Sequence, residues 1–199
     1  QGSYGGKWNN DEIIEKHNTS KTDLILELEN LKNMSLDYLI VIFSGHGGYD
    51  RYKRGTLLEL NSNEYISEND LKNLAVRQLN IYDCCRICPR IEIRNLVNSL
   101  IIKNTSLIDI NIRERYEKRI MQSIPQQIYL YACEIDEYAY DTSEGGNYSK
   151  HLIQCFLNIE NEYKLISVAH QEASKLTTNK HPDQHPVISD LPRCLSSQQ

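Results

Sequence analysis

Two residues offer this chain a nucleophile and its base. His46 sits in FSGHGGYDR (Phe43 to Arg51), and Cys85 sits in IYDCCRI (Ile81 to Ile87). A cysteine thiolate attacks carbonyl carbon, and an imidazole can take its proton and later protonate a leaving amine. The glycines around His46 allow a sharp backbone turn and leave the ring accessible. The N–H of Gly47, with that of Cys85, could form an oxyanion hole for a tetrahedral intermediate. Taken singly, each residue has a plainer reading: a loop histidine, and a cysteine filling core volume. Their pairing favours catalysis, provided both emerge at neighbouring strand ends.

The flanking patterns supply such ends. YLIVIF (Tyr38 to Phe43) is a continuous, β-branched apolar run, suited to a strand buried on both faces. QLNIYD (Gln78 to Asp83) and QQIYLYAC (Gln126 to Cys133) read as further strands. GTLLEL and EYIS flank NSN as a hairpin, after which Ser67 can cap a helical turn through ENDLKNL. Helical spacing appears over Ser20 to Met34, Tyr148 to Ile159 and LISVAHQEASKLTT (Leu165 to Thr178). Strands alternating with helices predict an α/β sandwich with a largely parallel sheet, whose sites gather beyond the strands' carboxyl ends. Adjacent strand residues face opposite ways, so one of Cys84 and Cys85 packs and the other reacts.

YLIVIFSGHGG resembles the histidine motif of the caspase-like cysteine peptidases, and IYDCCRI resembles their nucleophile motif. The latter is nearer the Asp-x-Cys form of metacaspases and bacterial caspase-like proteins than the Gln-Ala-Cys form of animal caspases. YLYAC followed by EGGNYSKHL (Glu144 to Leu152), and DQHPVIS (Asp183 to Ser189), are similar to later segments of that family. The likeness runs from about Gly5 to Ser189. It implies a three-layer caspase-like sandwich with a mostly parallel central sheet and helices on both faces. The family's first strand and first helix are not found in this chain. By position, His46 is the general base and acid, Cys85 the nucleophile and Cys84 its inert neighbour. Gly47 and Cys85 supply the oxyanion-hole N–H groups. Ser44 matches a pocket position of metacaspases. Asp83 stands where animal caspases keep a glutamine, and a carboxylate there calls for a cationic partner. The expected activity is therefore a cysteine endopeptidase cleaving after Arg or Lys. For Asp83 alone, the alternative is a carboxylate held by loop amides. For the whole chain, the alternative is a catalytically silent caspase-like interaction domain.

At 199 residues the chain suits a single domain, 1–199. Residues 86–125 read as a stretch that can hold helices and also as an excursion from the sheet, with Arg113, Arg115, Lys118 and Arg119 as candidate sites of activating self-cleavage. The net charge of −5 argues against a nucleic-acid partner, and no apolar run reaches the about 20 residues of a membrane span. The expected partners are a protein or peptide substrate and an activating protein. Six cysteines without a framework spacing point to a reducing, cytoplasmic setting. Adjacent Cys84 and Cys85, with Cys88 and Cys133, make poor zinc ligands. No cofactor is expected. Glu134, Asp136, Glu137 and Asp141 leave calcium as an alternative to a solvated acidic loop.

Overall fold

The apolar run after Met34 forms strand β1 (Leu36–Ser44). In the computed structural model, which describes residues 8–88, 110–143, 145–157 and 164–192, β1 is one edge of a four-stranded sheet. Its remaining strands are β5 (Ala75–Asp83), β6 (Gln126–Tyr131) and β9 (Val187–Pro192), in the order β1-β5-β6-β9. The first three strands run parallel and β9 closes the other edge antiparallel. Between β1 and β5 the chain makes a small antiparallel sheet of β2 (Gly47–Asp50), β3 (Gly55–Asn61) and β4 (Glu64–Ser67). A two-residue pair, β7 (Asp141–Thr142) and β8 (Gly145–Gly146), follows β6. The helices are α1 (Lys21–Asn33), α2 (Ile110–Gln122), α3 (Asn147–Leu157) and α4 (Ile166–Lys180).

Local chemistry sets the boundaries. Ser20 caps α1 by accepting the Asp23 N–H at 3.0 Å, and Ser67 caps the short helical turn after β4 by accepting the Asn69 N–H at 3.2 Å. Strand alternation then sorts the core into two layers. Leu39, Val41 and Phe43 of β1 share one face with Tyr82, Cys84, Tyr129 and Tyr131, beneath α1 and residues of β3 and β4. Leu79, Ile81, Ile128, Leu130 and Ala132 take the other face, beneath α3 and α4. The result is the expected three-layer sandwich with helices on both faces. Tyr148 Oη meets His170 Nδ1 at 2.8 Å and ties the first turn of α3 to α4.

Two features differ from the sequence reading. β1 is an edge strand, and Ile42 is 68% exposed. The continuous apolar run therefore does not signal cover on both faces here. The short strands β2, β7, β8 and β9 lacked an alternating pattern of their own. Within 86–125, 89–109 lies outside the described residues, and the charged stretch after it is helix α2, in line with the helices the sequence allowed there. The Arg77 side chain donates to the Ser123 and Met121 carbonyls, at 2.7 and 3.1 Å, and anchors the end of that helix. Cys194 and Glu144 also lie outside the described residues. Among the described residues no helix is long and apolar enough to cross a membrane.

Leu130 is fully buried, so Leu130→Ala should lower unfolding free energy by about 2–5 kcal/mol. Ile42→Ala, on the open edge, should stay within about 0.5 kcal/mol of the parent in the same urea titration. Equal losses would contradict this placement of the core.

Candidate active site

β1 and β5 leave the sheet in step. Ser44 and Asp83 are paired in the last rung of the ladder. Just beyond, the Gly45 N–H donates to the Asp83 carbonyl at 3.2 Å, and further out the Tyr49 N–H donates to the Ile87 carbonyl at 3.0 Å. These two bonds bracket His46 on one segment and Cys85 on the other. Both residues therefore leave the same rim of the sheet, from adjacent strands. The His46 carbonyl also accepts the Glu59 N–H at 3.0 Å, which ties this turn to β3. The His46 side chain is exposed.

The neighbouring cysteines part as alternation requires. Cys84 is buried in the tyrosine layer and packs beneath Gly47. A Cβ at position 47 would come within 2.6 Å of Cys84 Sγ and 2.8 Å of the Leu57 carbonyl oxygen, so this close approach requires glycine. Burial pushes the Cys84 thiol well above its ordinary range. Cys85 is partly exposed. Its Sγ accepts the Ala139 N–H at 3.4 Å and donates to the Ala139 carbonyl at 3.6 Å. Burial also raises the Cys85 thiol, the Ala139 N–H works against that, and the charges of Asp141 and Asp83 add to it. Cys133 donates to the Cys84 carbonyl at 3.5 Å and to the Glu137 carbonyl at 3.4 Å; burial pushes its thiol up to about 12.

Asp83 lies beside Ser44 on the α3/α4 face and is only 3% exposed. Its Oδ2 accepts the Ser149 N–H at 2.8 Å, in the first turn of α3, where the helix dipole favours an anion. Its Oδ1 is buried without a hydrogen-bond partner among the described residues. Gly146 presses its Cα against the carboxylate, and a Cβ there would collide with it. Burial raises the Asp83 carboxyl above its usual value, the Ser149 bonds oppose this, and Asp141 raises it further. One oxygen of Asp83 is thus held by a backbone amide, and the other has no hydrogen-bond partner among the described residues.

Sequence reasoning missed what holds this rim. Arg86 is buried, with its guanidinium 3.9 Å from the Tyr131 ring centroid and 5.5 Å from that of Tyr49. It donates to Thr56 Oγ1 at 3.2 Å and to the Cys133 carbonyl at 3.4 Å. The Tyr131 hydroxyl in turn donates to the buried Glu68 at 2.8 Å. No pattern near Cys85 marks an arginine as buried, because its partners come from β2, β3 and β6. Gln184, in the DQHPVIS segment, donates to the Ala132 carbonyl at 2.9 Å and accepts from Asn147 at 3.3 Å.

The described carboxylates of the acidic loop after Cys133 are drawn to separate partners. Asp136 pairs with Arg51 at 2.6 Å, and Glu137 accepts His185 Nδ1 at 2.7 Å and the Glu134 N–H at 3.1 Å. Asp141 stands apart, opposite Gly146. Among the described residues no group of three or more His, Cys, Asp or Glu is arranged to hold a metal ion.

The family model described as the caspase domain of peptidase family C14 matches residues 7–195, so this chain belongs to the caspase-domain family. No curated protein matches it. Among solved structures it is similar to protein GSU0716 of Geobacter sulfurreducens, with a TM-score of 0.53 and 13% identity over 89% of this chain and 75% of that one. It is also similar to caspase-1 of Spodoptera frugiperda, with a TM-score of 0.54 and 10% identity over 86% of this chain and 68% of that one. At such identities these likenesses establish the shared fold. The family carries a cysteine-peptidase type of domain.

The half-satisfied Asp83 has a measurable consequence. Its raised carboxyl binds a proton more tightly in the folded protein than in the unfolded chain. Stability should therefore fall as pH rises from the ordinary carboxylate value of 3.8 through the folded value. Asp83→Asn keeps the shape and removes the titration. Urea midpoints measured from pH 4 to pH 7 should show that fall in the parent and not in the variant; parallel curves would contradict it.

Proposed function

We propose that the domain is a cysteine endopeptidase in which His46 and Cys85 form the catalytic dyad and Asp83 selects Arg or Lys before the scissile bond. The observation that supports it most is the shared rim: His46 and Cys85 lie between two hydrogen bonds that join the same pair of parallel strands. Membership of the caspase-domain family supplies the reaction class.

In this reading the His46 imidazole takes the Cys85 proton, and the thiolate adds to the peptide carbonyl carbon. Negative charge moves to the carbonyl oxygen, which the N–H groups of Gly47 and Cys85 would hold. The imidazolium then protonates the leaving amine, the C–N bond breaks and a thioester remains. Water, deprotonated by the imidazole, hydrolyses the thioester and restores the thiol. The substrate's basic side chain would reach the unpartnered Oδ1 of Asp83, with Ser44 beside it on the same face. A cation there satisfies a buried acceptor and lowers the carboxyl's hold on its proton, which is a physical reason to prefer Arg or Lys to Asp.

The Ala139 contact bears on activation. The sulfur that must attack is engaged by both the N–H and the carbonyl of one residue, and its thiol is raised. Turnover requires that this contact open, by partner binding or by a cut elsewhere in the chain. Arg113, Arg115, Lys118 and Arg119 lie within α2, whose backbone would have to unwind before cleavage. The same contact is what a silent domain would show, and the family also includes inactive members.

A panel of short fluorogenic peptides with Arg, Lys or Asp before the reporter separates these readings. The parent should release the fluorophore from the Arg and Lys peptides. Cys85→Ala should lose at least about 1,000-fold, as for removal of a covalent nucleophile. Cleavage after Asp would overturn the role of Asp83. An inert parent that also resists every candidate activator would favour the silent domain.

A further inference from the structure

Strand β3 runs alongside the histidine turn, and its register brings a carboxylate-bearing residue to His46. The β2–β3 ladder pairs Gly47 with Leu58, and its next step outward sets His46 opposite Glu59. The Glu59 N–H donates to the His46 carbonyl at 3.0 Å, as in a hydrogen-bonded antiparallel pair. On its other side Glu59 pairs with Tyr65 of β4. Directly opposed residues of antiparallel strands present their side chains on one face, with Cβ atoms about 4.5–5.5 Å apart. His46, Glu59 and Tyr65 therefore form a row across the small sheet. Alternation identifies the face. Leu58 and Ile66 are each 1% exposed and belong to the core, so their neighbours Glu59 and Tyr65 take the outer side. The row is already bonded at one end. The Tyr65 hydroxyl donates to Glu59 Oε2 at 3.2 Å, and burial, followed by the Glu59 charge, raises that hydroxyl.

We propose that Glu59 is a positioning residue for His46: within the His46–Glu59–Tyr65 row it sets which ring nitrogen carries the proton. This rests on the peptidase reading above and deepens it. A neutral imidazole has one donor and one acceptor nitrogen, and a hydrogen bond at one fixes the role of the other. An ionised carboxylate only accepts. Glu59 bonded to one ring N–H would leave the opposite nitrogen bare, as the base that takes the Cys85 proton. Once that proton arrives, the imidazolium stands beside a carboxylate and its charge is stabilised in place. The proton passes from Cys85 to His46 and on to the leaving amine; Glu59 never takes it. Tyr65 holds the carboxylate from the far side of the row. The plainer role for Glu59 is a carboxylate on the sheet's outer face that serves Tyr65 alone.

Two readouts test this. Turnover of the Arg fluorogenic peptide is measured for the parent, Glu59→Gln and Glu59→Asp. Glutamine keeps the shape, but its amide donates as well as accepts, so the ring loses its preferred tautomer. Glu59→Gln should lower kcat about tenfold or more and leave KM within about twofold, and Glu59→Asp should recover part of the loss. The second readout is nuclear magnetic resonance of the Cys85→Ala form, where the ring nitrogen shifts of neutral His46 report its tautomer. One tautomer should dominate, and adding Glu59→Gln should give a mixture. An unchanged kcat, or an unchanged tautomer ratio, overturns the proposal. So does a loss that appears in KM or in the urea midpoint and that Glu59→Asp does not recover, because a merely structural contact would behave that way. A parent that cleaves no basic peptide overturns the peptidase reading instead, and the tautomer ratio then decides by itself whether Glu59 holds the ring.

Discussion

The site depends on one constraint: two parallel strands that end on the same rung. Parallel pairing makes adjacent strands leave the sheet from the same edge, so residues equally far past their last pair come out together. Here the rung is Ser44 with Asp83, and His46 and Cys85 each follow it by two positions. A slip of one residue would turn Cys84 toward the α3/α4 face and bury Cys85 in the tyrosine layer. That slip is opposed by the core itself. Tyr82, Tyr129 and Tyr131 fill one face of the sheet, and Leu130 with Ala132 fills the other. The packing of large side chains several residues away therefore decides which sulfur is accessible.

The rim is also where favourable interactions are left incomplete. Asp83 is almost fully buried with one acceptor unsatisfied, and Cys85 is engaged by the backbone N–H and carbonyl of Ala139. The unpaired Asp83 oxygen costs stability, as buried unpaired polar atoms do. The neighbouring Arg86 is also buried but well provided for, between two tyrosine rings and two oxygen acceptors. The contrast sorts the rim by physical role. Arg86 consolidates the strand ends, whereas Asp83 keeps one oxygen without a partner among the described residues.

Much of this could be read from the chain. The runs that became β1, β5 and β6 are long and apolar, and α1, α3 and α4 carry helical spacing. The glycines around His46 and the Asp-Cys-Cys run indicated the rim, and Gly47 proved to be glycine because Cys84 lies beneath it. What stayed hidden depends on distant partners. β7 and β8 are two residues each, too short for any period to register, and β8 carries Gly146 past the Asp83 carboxylate. Helix α2 sits in a strongly charged stretch, where Ile112, Tyr116 and Ile120 keep a helical spacing among acidic and basic residues. The acidic loop looked like one cluster in the sequence, but Arg51 and His185, from distant segments, divide it.

The central claim is that the Cys85 sulfur and the His46 imidazole act on one substrate. It is tested most directly by a peptide electrophile, an acyloxymethyl ketone carrying arginine, incubated with the parent and with His46→Ala and followed by peptide mapping in a mass spectrometer. The account predicts that the label falls on Cys85 and that loss of the imidazole slows labelling by about 100-fold or more. Label on Cys84 or Cys133, or an unchanged rate at Cys85 without His46, would contradict it.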